Sequence, residues 1–179
     1  MSSIPRRVFA SLTVAVVFAV PGLAQNAPTD YRDEFLNHFA GSAQKVEQLS
    51  MAVPAELYTW SPGEGVMSIA RVYAHIARYN YMYLDEQLGI KAPAGVAWQD
   101  FESITDKAQI VELLAESIAH VKSAAMQLGE RDLMEKTRLY GRDVPGWAVL
   151  SQLIAHMNEH VGQSIAYARM NGIVPPWSS

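Results

Sequence analysis

The sequence predicts an all-α protein, an up-down four-helix bundle preceded by a secretory signal peptide. Four long segments carry apolar residues at the three- and four-residue spacings of amphipathic helices. Proline and glycine residues separate these segments, as expected for helix ends and connecting loops. The chain has 179 residues, which is enough for one domain with a buried core and short for two.

The first 24 residues have the three-part layout of a secretory signal peptide. Arg6 and Arg7 precede an apolar run from Val8 to Val20, and small residues surround Ala24. As a helix the run would extend roughly 20 Å, which is short of the roughly 30 Å hydrocarbon core of a membrane. We therefore expect export to the periplasm or the exterior, by the general or the twin-arginine route, and no stable membrane insertion after cleavage.

The remaining segment, residues 25–179, is expected to form a single domain. Its formal charge is −6, because the whole chain carries −4 and residues 1–24 hold two arginines and no acidic residue. Without a basic stripe, nucleic acid is not an expected partner. The chain has no cysteine, which excludes disulfides, a thiolate nucleophile and a cysteine-bound metal.

The first two helices are delimited by capping and breaking residues. The first is expected to begin near residues 29–30 and to end before Pro54, with an apolar stripe that includes Tyr31, Phe35, Phe39, Val46 and Leu49. The loop "YTWSPGEGV" follows. Ser68 is the expected N-cap of the second helix, which runs to about Leu88 and stops at Gly89.

The third and fourth helices follow a long linker, "KAPAGVAWQDFES", which we expect to fold over the bundle. The third helix is predicted to begin at the cap Thr105 and to end at Gly129. Residues 130–144 are mixed and charged, with no periodic pattern. The last helix is predicted to follow Gly146 and to run through Met170, since the sequence "NGIVPP" comes next.

Two histidines lie four positions apart in the stretch "HMNEH". Each helical residue advances about 100°, so His156 and His160 lie one above the other on a single face. Gln163 and Tyr167 continue that stripe at steps of three and four, which predicts that it faces the bundle interior. Burying an unpartnered imidazole costs about 1–3 kcal/mol, so both side chains need partners.

His75 is the expected third member of this site. On the second helix it lies among the apolar and aromatic residues Val72, Ile76, Tyr79 and Tyr83. Three imidazoles from two helices predict a site for a divalent metal ion with an open coordination position, zinc being the first expectation and nickel the second. The alternative is that they are core histidines bonded to backbone carbonyls or to Gln163.

Other polar residues have less specific patterns. Tyr79, Gln163 and Tyr167 are the candidates for polar groups near the open metal position, and each could equally serve the core. His38 and His120 fall off the apolar stripes of their helices. We expect both to be surface or boundary residues.

Glu159 gives "HMNEH" the H-x-x-E-H spacing of the inverted zinc proteases, in which the glutamate is the base. Such a site takes a further carboxylate ligand from downstream, whereas the 19 residues after His160 contain no Asp or Glu. Glu159 is also 100° around the helix from His160. We therefore expect it to face solvent or to form an interhelical ion pair.

Three stretches together resemble the DinB-like superfamily of four-helix-bundle proteins, which is related to the thiol-dependent transferases. They are "WSPGEGVMS", "AHIARYN" and "HMNEHVGQSIAYARMNGIVPP", and the likeness covers nearly all of the chain after the signal. The resemblance implies an up-down bundle, often a homodimer, with a divalent metal held by His75, His156 and His160. It also implies, for some members, transfer of a low-molecular-weight thiol onto an electrophile.

The expected reaction stays open between several classes. Reduced thiol cofactors are chiefly cytoplasmic, so an exported protein is also compatible with metal-assisted hydrolysis of a small molecule. The alternative to an enzyme is a non-catalytic bundle that a metal stabilises and that acts through dimerisation or partner binding.

Overall fold

The computed structural model describes residues 27–178, and the predicted signal peptide lies outside them. This part of the chain is mostly helical. Its α-helices are α1 (Ala27–Ala52), α2 (Ile69–Met82), α3 (Lys107–Gln127), α4 (Glu130–Met134) and α5 (Trp147–Met170). α2 continues as a π-helix (Tyr83–Gln87), three 3-10 helices span Ala55–Leu57, Trp98–Ser103 and Pro176–Ser178, and two strands, β1 (Lys136–Leu139) and β2 (Arg142–Pro145), form a hairpin. Within residues 27–178 no helix is long and apolar enough to cross a membrane.

The four long helices form a bundle in which α1 and α2 each pack against both α3 and α5. Arg32, near the start of α1, donates to the carbonyl of Leu128 just after α3, at 3.2 Å. Lys107, the first residue of α3, donates to the carbonyl of Met51 near the end of α1, at 2.8 Å. α1 and α3 are therefore antiparallel.

α5 runs parallel to α1 and antiparallel to α2. Tyr31 near the start of α1 bonds Ser151 near the start of α5, and further along both helices Ser42 donates to Asn158 at 2.8 Å. The ring of His75 on α2 contacts His160 in the later part of α5, whereas Tyr83, just after α2, is hydrogen-bonded to Gln152 in the earlier part. The order of directions is thus up, down, down, up, and the predicted simple up-down alternation is wrong.

The linker between α2 and α3 explains this difference. Because α2 and α3 run in the same direction, residues 88–106 must return along the bundle before α3 begins. Trp98 and Phe101 are buried where a 3-10 helix packs against α2, and the Phe101 ring lies 6.0 Å from that of Tyr81. The expectation that the linker folds over the bundle is confirmed, and its burial places Glu102 beside α2.

Most predicted helix ends agree with the structure to within two or three residues. The Ser68 side chain accepts a hydrogen bond from the backbone N–H of Arg71 at 3.2 Å, which confirms the predicted N-cap of α2. Asp106 caps α3 in place of the expected Thr105 by accepting from the backbone of Gln109 at 2.9 Å. α5 ends at Met170 as predicted.

The β-hairpin is an element that the all-α prediction lacked. Leu139 pairs with Arg142, so the connection is the two-residue loop Tyr140-Gly141. Both loop residues have positive φ, 50° and 77°, as in a type I′ turn. This turn favours Asn-Gly, and a left-handed backbone costs an ordinary residue about 1–2 kcal/mol. The hairpin was not predicted because Tyr140 occupies the turn position at which asparagine is the usual sequence signal.

Gly146 is required where the hairpin meets α5. A Cβ added there would lie 2.5 Å from the backbone oxygen of Asp132. We expect Gly146→Ala to lower the free energy of unfolding by about 1–3 kcal/mol through overpacking. Gly162 is the matched control, since it is exposed within α5 and an added Cβ meets no atom within 4 Å.

For this control, Gly162→Ala should raise the free energy of unfolding by about 0.5–1 kcal/mol, because alanine loses less backbone entropy in a helix. Urea denaturation followed by circular dichroism measures both changes. Equal effects of the two substitutions would contradict the close approach at Gly146.

Candidate functional site

Two polar stripes face each other where α2 and α5 pack. On α2 and the π-helix that continues it, the stripe consists of His75, Tyr79 and Tyr83, and on α5 it consists of Gln152, His156 and His160. In each stripe the residues are four positions apart, which places them on one helix face. Because the helices are antiparallel, the histidines gather at one end of the stripes and the side chains of Tyr83 and Gln152 at the other.

The three histidines of these stripes are in mutual contact. The ring centroid of His75 lies 5.1 Å from that of His156 and 4.9 Å from that of His160, and the last two centroids are 4.5 Å apart. One potential ligand nitrogen from each ring lies within 4.8 Å of the other two. His156 and His160 are only 7% and 6% exposed, so these two rings are largely shielded from solvent.

Glu102 orients the His75 ring. Its Oε1 accepts a hydrogen bond from Nδ1 of His75 at 2.9 Å. It also accepts from Nη1 of Arg78 at 2.8 Å, and Arg71 donates to the other carboxylate oxygen at 3.0 Å. A neutral imidazole has one N–H group, so a proton on Nδ1 leaves the lone pair on Nε2. Nε2 is the nitrogen available to a ligand.

The pKa values agree with a neutral ring beside a carboxylate. Burial lowers the pKa of His75, although the Glu102 carboxylate acts in the opposite direction. Burial alone would raise the pKa of Glu102, but hydrogen bonds from His75, Arg71 and Arg78 outweigh it and lower the pKa to about 2. At neutral pH Glu102 is therefore ionised and His75 is uncharged.

A second chain of hydrogen bonds orients His160. Its Nδ1 is 2.8 Å from Oε1 of Gln163, and Nε2 of Gln163 donates to the Tyr167 hydroxyl at 2.9 Å. With the amide nitrogen directed to Tyr167, the amide oxygen faces His160 and accepts the Nδ1 proton. Nε2 of His160 therefore also keeps its lone pair.

His156 is the least satisfied member of the trio. Within the described residues its Nε2 is buried and has no hydrogen-bond partner. The ring stacks on Tyr79, with centroids 4.7 Å apart. Burial, together with the charges that His160 and His75 would carry, lowers the pKa of His156 to about 3. The imidazole is thus neutral, and its unpaired buried nitrogen costs about 1–3 kcal/mol.

This donor set fits a divalent transition-metal ion. Zinc lies about 2.0–2.1 Å from histidine nitrogens, and one of the three such bonds would satisfy the buried Nε2 of His156. Carboxylate oxygen is absent from the three ligand atoms, and three protein ligands leave a coordination position for a substrate. Among residues 27–178, His75, His156 and His160 form the one cluster of His, Asp or Glu with this spacing.

The other histidines lie elsewhere, as expected. His38 is exposed, and its Nε2 lies 3.7 Å from Oε2 of Glu34. His120 is half-buried against the Tyr81 ring, at 5.0 Å between centroids. It lines a cavity of about 650 Å³ between the ends of α2 and α3 and the hairpin, which shares no residue with the histidine trio. The candidate site is therefore identified by its three metal-ligating side chains and not by the volume of a cavity. Glu159 is exposed, as predicted.

Sequence reasoning missed Glu102, Gln152 and Tyr140. Glu102 belongs to a linker without periodicity, where only the nearby aromatic residues Trp98 and Phe101 indicated burial. Gln152 lies one turn before His156, and its side chain donates to the Tyr83 hydroxyl at 3.3 Å, so the stripe spacing alone could have identified it. Tyr140 bonds the same hydroxyl from the hairpin.

The fold and the histidine trio define a helical-bundle protein with a candidate site for a divalent metal. The sequence matches the DinB family over residues 25–179, and the chain belongs to this family. The resemblance seen in the sequence is confirmed. Among functionally curated proteins, none matches the sequence significantly.

Two solved structures have a similar fold. A DinB-like protein from Bacillus cereus ATCC 10987 superposes with a TM-score of 0.70 at 21% identity, over 80% of this chain and 95% of that one. A DinB-like protein from Bacillus subtilis superposes with a TM-score of 0.63 at 18% identity, over 79% of this chain and 94% of that one. At these identities the similarity supports the fold alone.

The pKa of His156 predicts a pH-dependent stability of the metal-free protein. Between pH 6.5 and 3 the unfolded state binds a proton on His156 that the folded state excludes. The free energy of unfolding should therefore fall as the pH decreases through this range, by at most about 1.4 kcal/mol per pH unit for this group.

The matched variant is His156→Gln, which removes the titrating group. Urea denaturation of both chelator-treated proteins at pH 6.5, 5.5 and 4.5 should give the steeper decline for the wild type. Parallel declines would show that His156 is not protected from protonation in the folded state.

Proposed function

We propose that the protein binds one divalent metal ion through Nε2 of His75, His156 and His160. The buried Nε2 of His156, which has no hydrogen-bond partner in the described part of the chain, is the observation that carries the proposal. Hydrogen bonds from Nδ1 hold His75 and His160 with their lone pairs available, so the site is preorganised before a metal arrives. Zinc is the first choice of ion and nickel the second, since imidazole suits both.

The proposed reaction is a metal-assisted transfer or hydrolysis on a small molecule. When bound, the ion supplies Lewis acidity at the position that the three histidines leave open. Glu102 and Gln163 hold two of the imidazoles in place, and the stacked Tyr79 ring excludes water from one side of His156. Transfer of a low-molecular-weight thiol is the variant that the family resemblance favours.

Export and assembly belong to the same proposal. Cleavage after Ala24 would release residues 25–179 outside the cytoplasm, which limits access to reduced thiols and favours hydrolysis. A non-catalytic, metal-stabilised bundle that acts as a homodimer or through a partner is the alternative, and the low exposure of His156 and His160 supports it. Mass spectrometry of the exported protein tests the cleavage site, and light scattering tests the dimer.

Metal analysis tests the central proposal. Purified without a polyhistidine tag and loaded with zinc or nickel, the full-length protein should hold about one equivalent of metal. His156→Ala should hold only a trace, because two imidazoles remain. The matched control His38→Ala should keep the full equivalent, since His38 is exposed and outside the site. Wild-type protein that retains neither metal would contradict the proposal.

Assays of the loaded protein distinguish the two functional classes. A thiol with a haloarene tests transfer, and panels of small esters and of peptides test hydrolysis. Turnover that chelation abolishes and metal restores would support an enzyme. If the metal stabilises the protein against unfolding but none of these substrates is turned over, the non-catalytic bundle is favoured.

Glu102→Gln should weaken metal binding by about 10–100-fold without unfolding the protein. The amide lacks the charge that orients His75 and increases its basicity, which is the usual effect of losing such a carboxylate. Glu159→Gln is the matched control, because Glu159 is exposed between two proposed ligands and should leave affinity unchanged. Competition with a chromogenic chelator measures both dissociation constants. An equal effect of the two substitutions on the dissociation constant would show that Glu102 does not support metal binding.

A further inference from the structure

A cavity that is separate from the histidine trio lies where α2 and α3 end. Its volume is about 650 Å³. Pockets that hold small molecules measure roughly 300–1,000 Å³. The ends of the two helices, with the π-helix that continues α2, line the cavity at positions 87–88 and 127–128, and strand β1 lines it with Lys136 and Thr137. The space is thus large enough for an organic ligand, and its lining includes no member of the trio.

The parallel course of α2 and α3 brings the negative ends of two helix dipoles to this cavity. The carboxyl end of a helix carries roughly half a negative charge, because its last carbonyl groups have no partner within the helix. In an antiparallel pair, ends of opposite sign would be neighbours. Here both carboxyl ends line the same cavity, and their last turns, residues 84–87 and 124–127, contain no Lys, Arg or His. The helices themselves therefore do not offset the negative potential.

The charged side chains of the lining add to this potential. Asp132 of α4 and Glu135 just after α4 line the cavity, and Lys136 is the one basic residue among the lining residues. One oxygen of Asp132 accepts from the backbone N–H of Gly129 at 2.9 Å, and the Glu135 carboxylate is exposed to solvent. Arg32 donates to a carbonyl at the end of α3 but does not line the cavity. The lining as a whole favours a positively charged ligand.

His120 and three apolar side chains form the rest of the wall that bears on the choice of ligand. Burial lowers the pKa of His120, so the ring is uncharged at neutral pH and does not offset the acidic residues. Its Nε2 is buried and has no hydrogen-bond partner in the described part of the chain. The apolar residues are Leu88, Ile90 and Leu128. A bare metal ion would leave these side chains uncovered, whereas a hydrocarbon body would contact them.

We propose that this cavity binds a small organic amine, with its ammonium group at the two helix ends and its hydrocarbon body against the apolar residues of the wall. An ammonium group has three N–H donors and no acceptor, which suits a wall of carbonyl and carboxylate oxygens. The site goes beyond the proposed metal site and does not depend on it. It also gives α4 and the hairpin a role, because both contribute to the wall of the cavity.

Four probes that vary the head group and the body separately test this proposal. Hexylamine, hexanol and hexanoate share a hydrocarbon chain and differ in charge, and methylamine carries the ammonium group without the chain. Each is titrated into the full-length, ¹⁵N-labelled protein at neutral pH, and binding is followed by NMR. Hexylamine should shift the amide signals of Leu88, His120 and Leu128 to saturation. It should bind more tightly than hexanol and methylamine, and hexanoate should not bind.

Two variants should change hexylamine affinity in opposite directions. Glu135→Gln should weaken it by about two- to fivefold, the value of a partly exposed ion pair, and Lys136→Gln should strengthen it by a similar factor. The matched control is Glu130→Gln, which removes a charge from the same short helix without touching the cavity lining and should leave the affinity unchanged. All three side chains are exposed, so the substitutions preserve the fold.

Several results would overturn the proposal. Hexanoate could bind as tightly as hexylamine, or hexylamine could fail to saturate and shift signals across the acidic surface. Equal effects of Glu135→Gln and Glu130→Gln, or weaker binding in Lys136→Gln, would likewise show that the charges of the cavity do not select the ligand. None of these outcomes bears on the metal site, since the cavity and the histidine trio share no residue.

Discussion

Desolvation of three imidazoles between α2 and α5 is the constraint on which the site depends. His156 and His160 are buried and the His75 side chain is only 13% exposed, and a buried ring nitrogen needs a partner. Glu102 satisfies His75 and Gln163 satisfies His160, both at Nδ1. Nε2 of His75 and of His160 keeps its lone pair, and Nε2 of His156 is buried without a hydrogen-bond partner in the described structure. A cation that accepts lone pairs resolves the conflict.

Local periodicity predicted features that belong to a single helix, such as its ends and the residues on one face. It did not predict the relative directions of the helices, which depend on their connections. The four long helices and the shared face of His156 and His160 follow from residue spacing, and the Ser68 cap follows from its residue type before an apolar-periodic segment. The parallel course of α2 and α3 does not, since it is set by the linker that packs on the bundle. Glu102 was hidden for the same reason, because its position comes from the burial of its aromatic neighbours.

Membership of the DinB family and the geometry of the trio constrain different properties. The family match, over residues 25–179, accounts for the bundle that the described residues form, whereas the hydrogen bonds of this chain account for which ring nitrogens keep a lone pair. Glu102 also forms ion pairs with Arg71, at 3.0 Å, and with Arg78, at 2.8 Å. The Glu102 carboxylate therefore orients His75, while the two arginine side chains offset much of the negative charge of Glu102.

Glu102 comes from the connection between α2 and α3 and not from a bundle helix. Metal binding at the proposed site and docking of residues 88–106 would therefore be linked: whatever favours one favours the other, by the same free energy in both directions. Affinity for a metal ion at the proposed site is therefore adjustable through a connection that lies outside the four bundle helices.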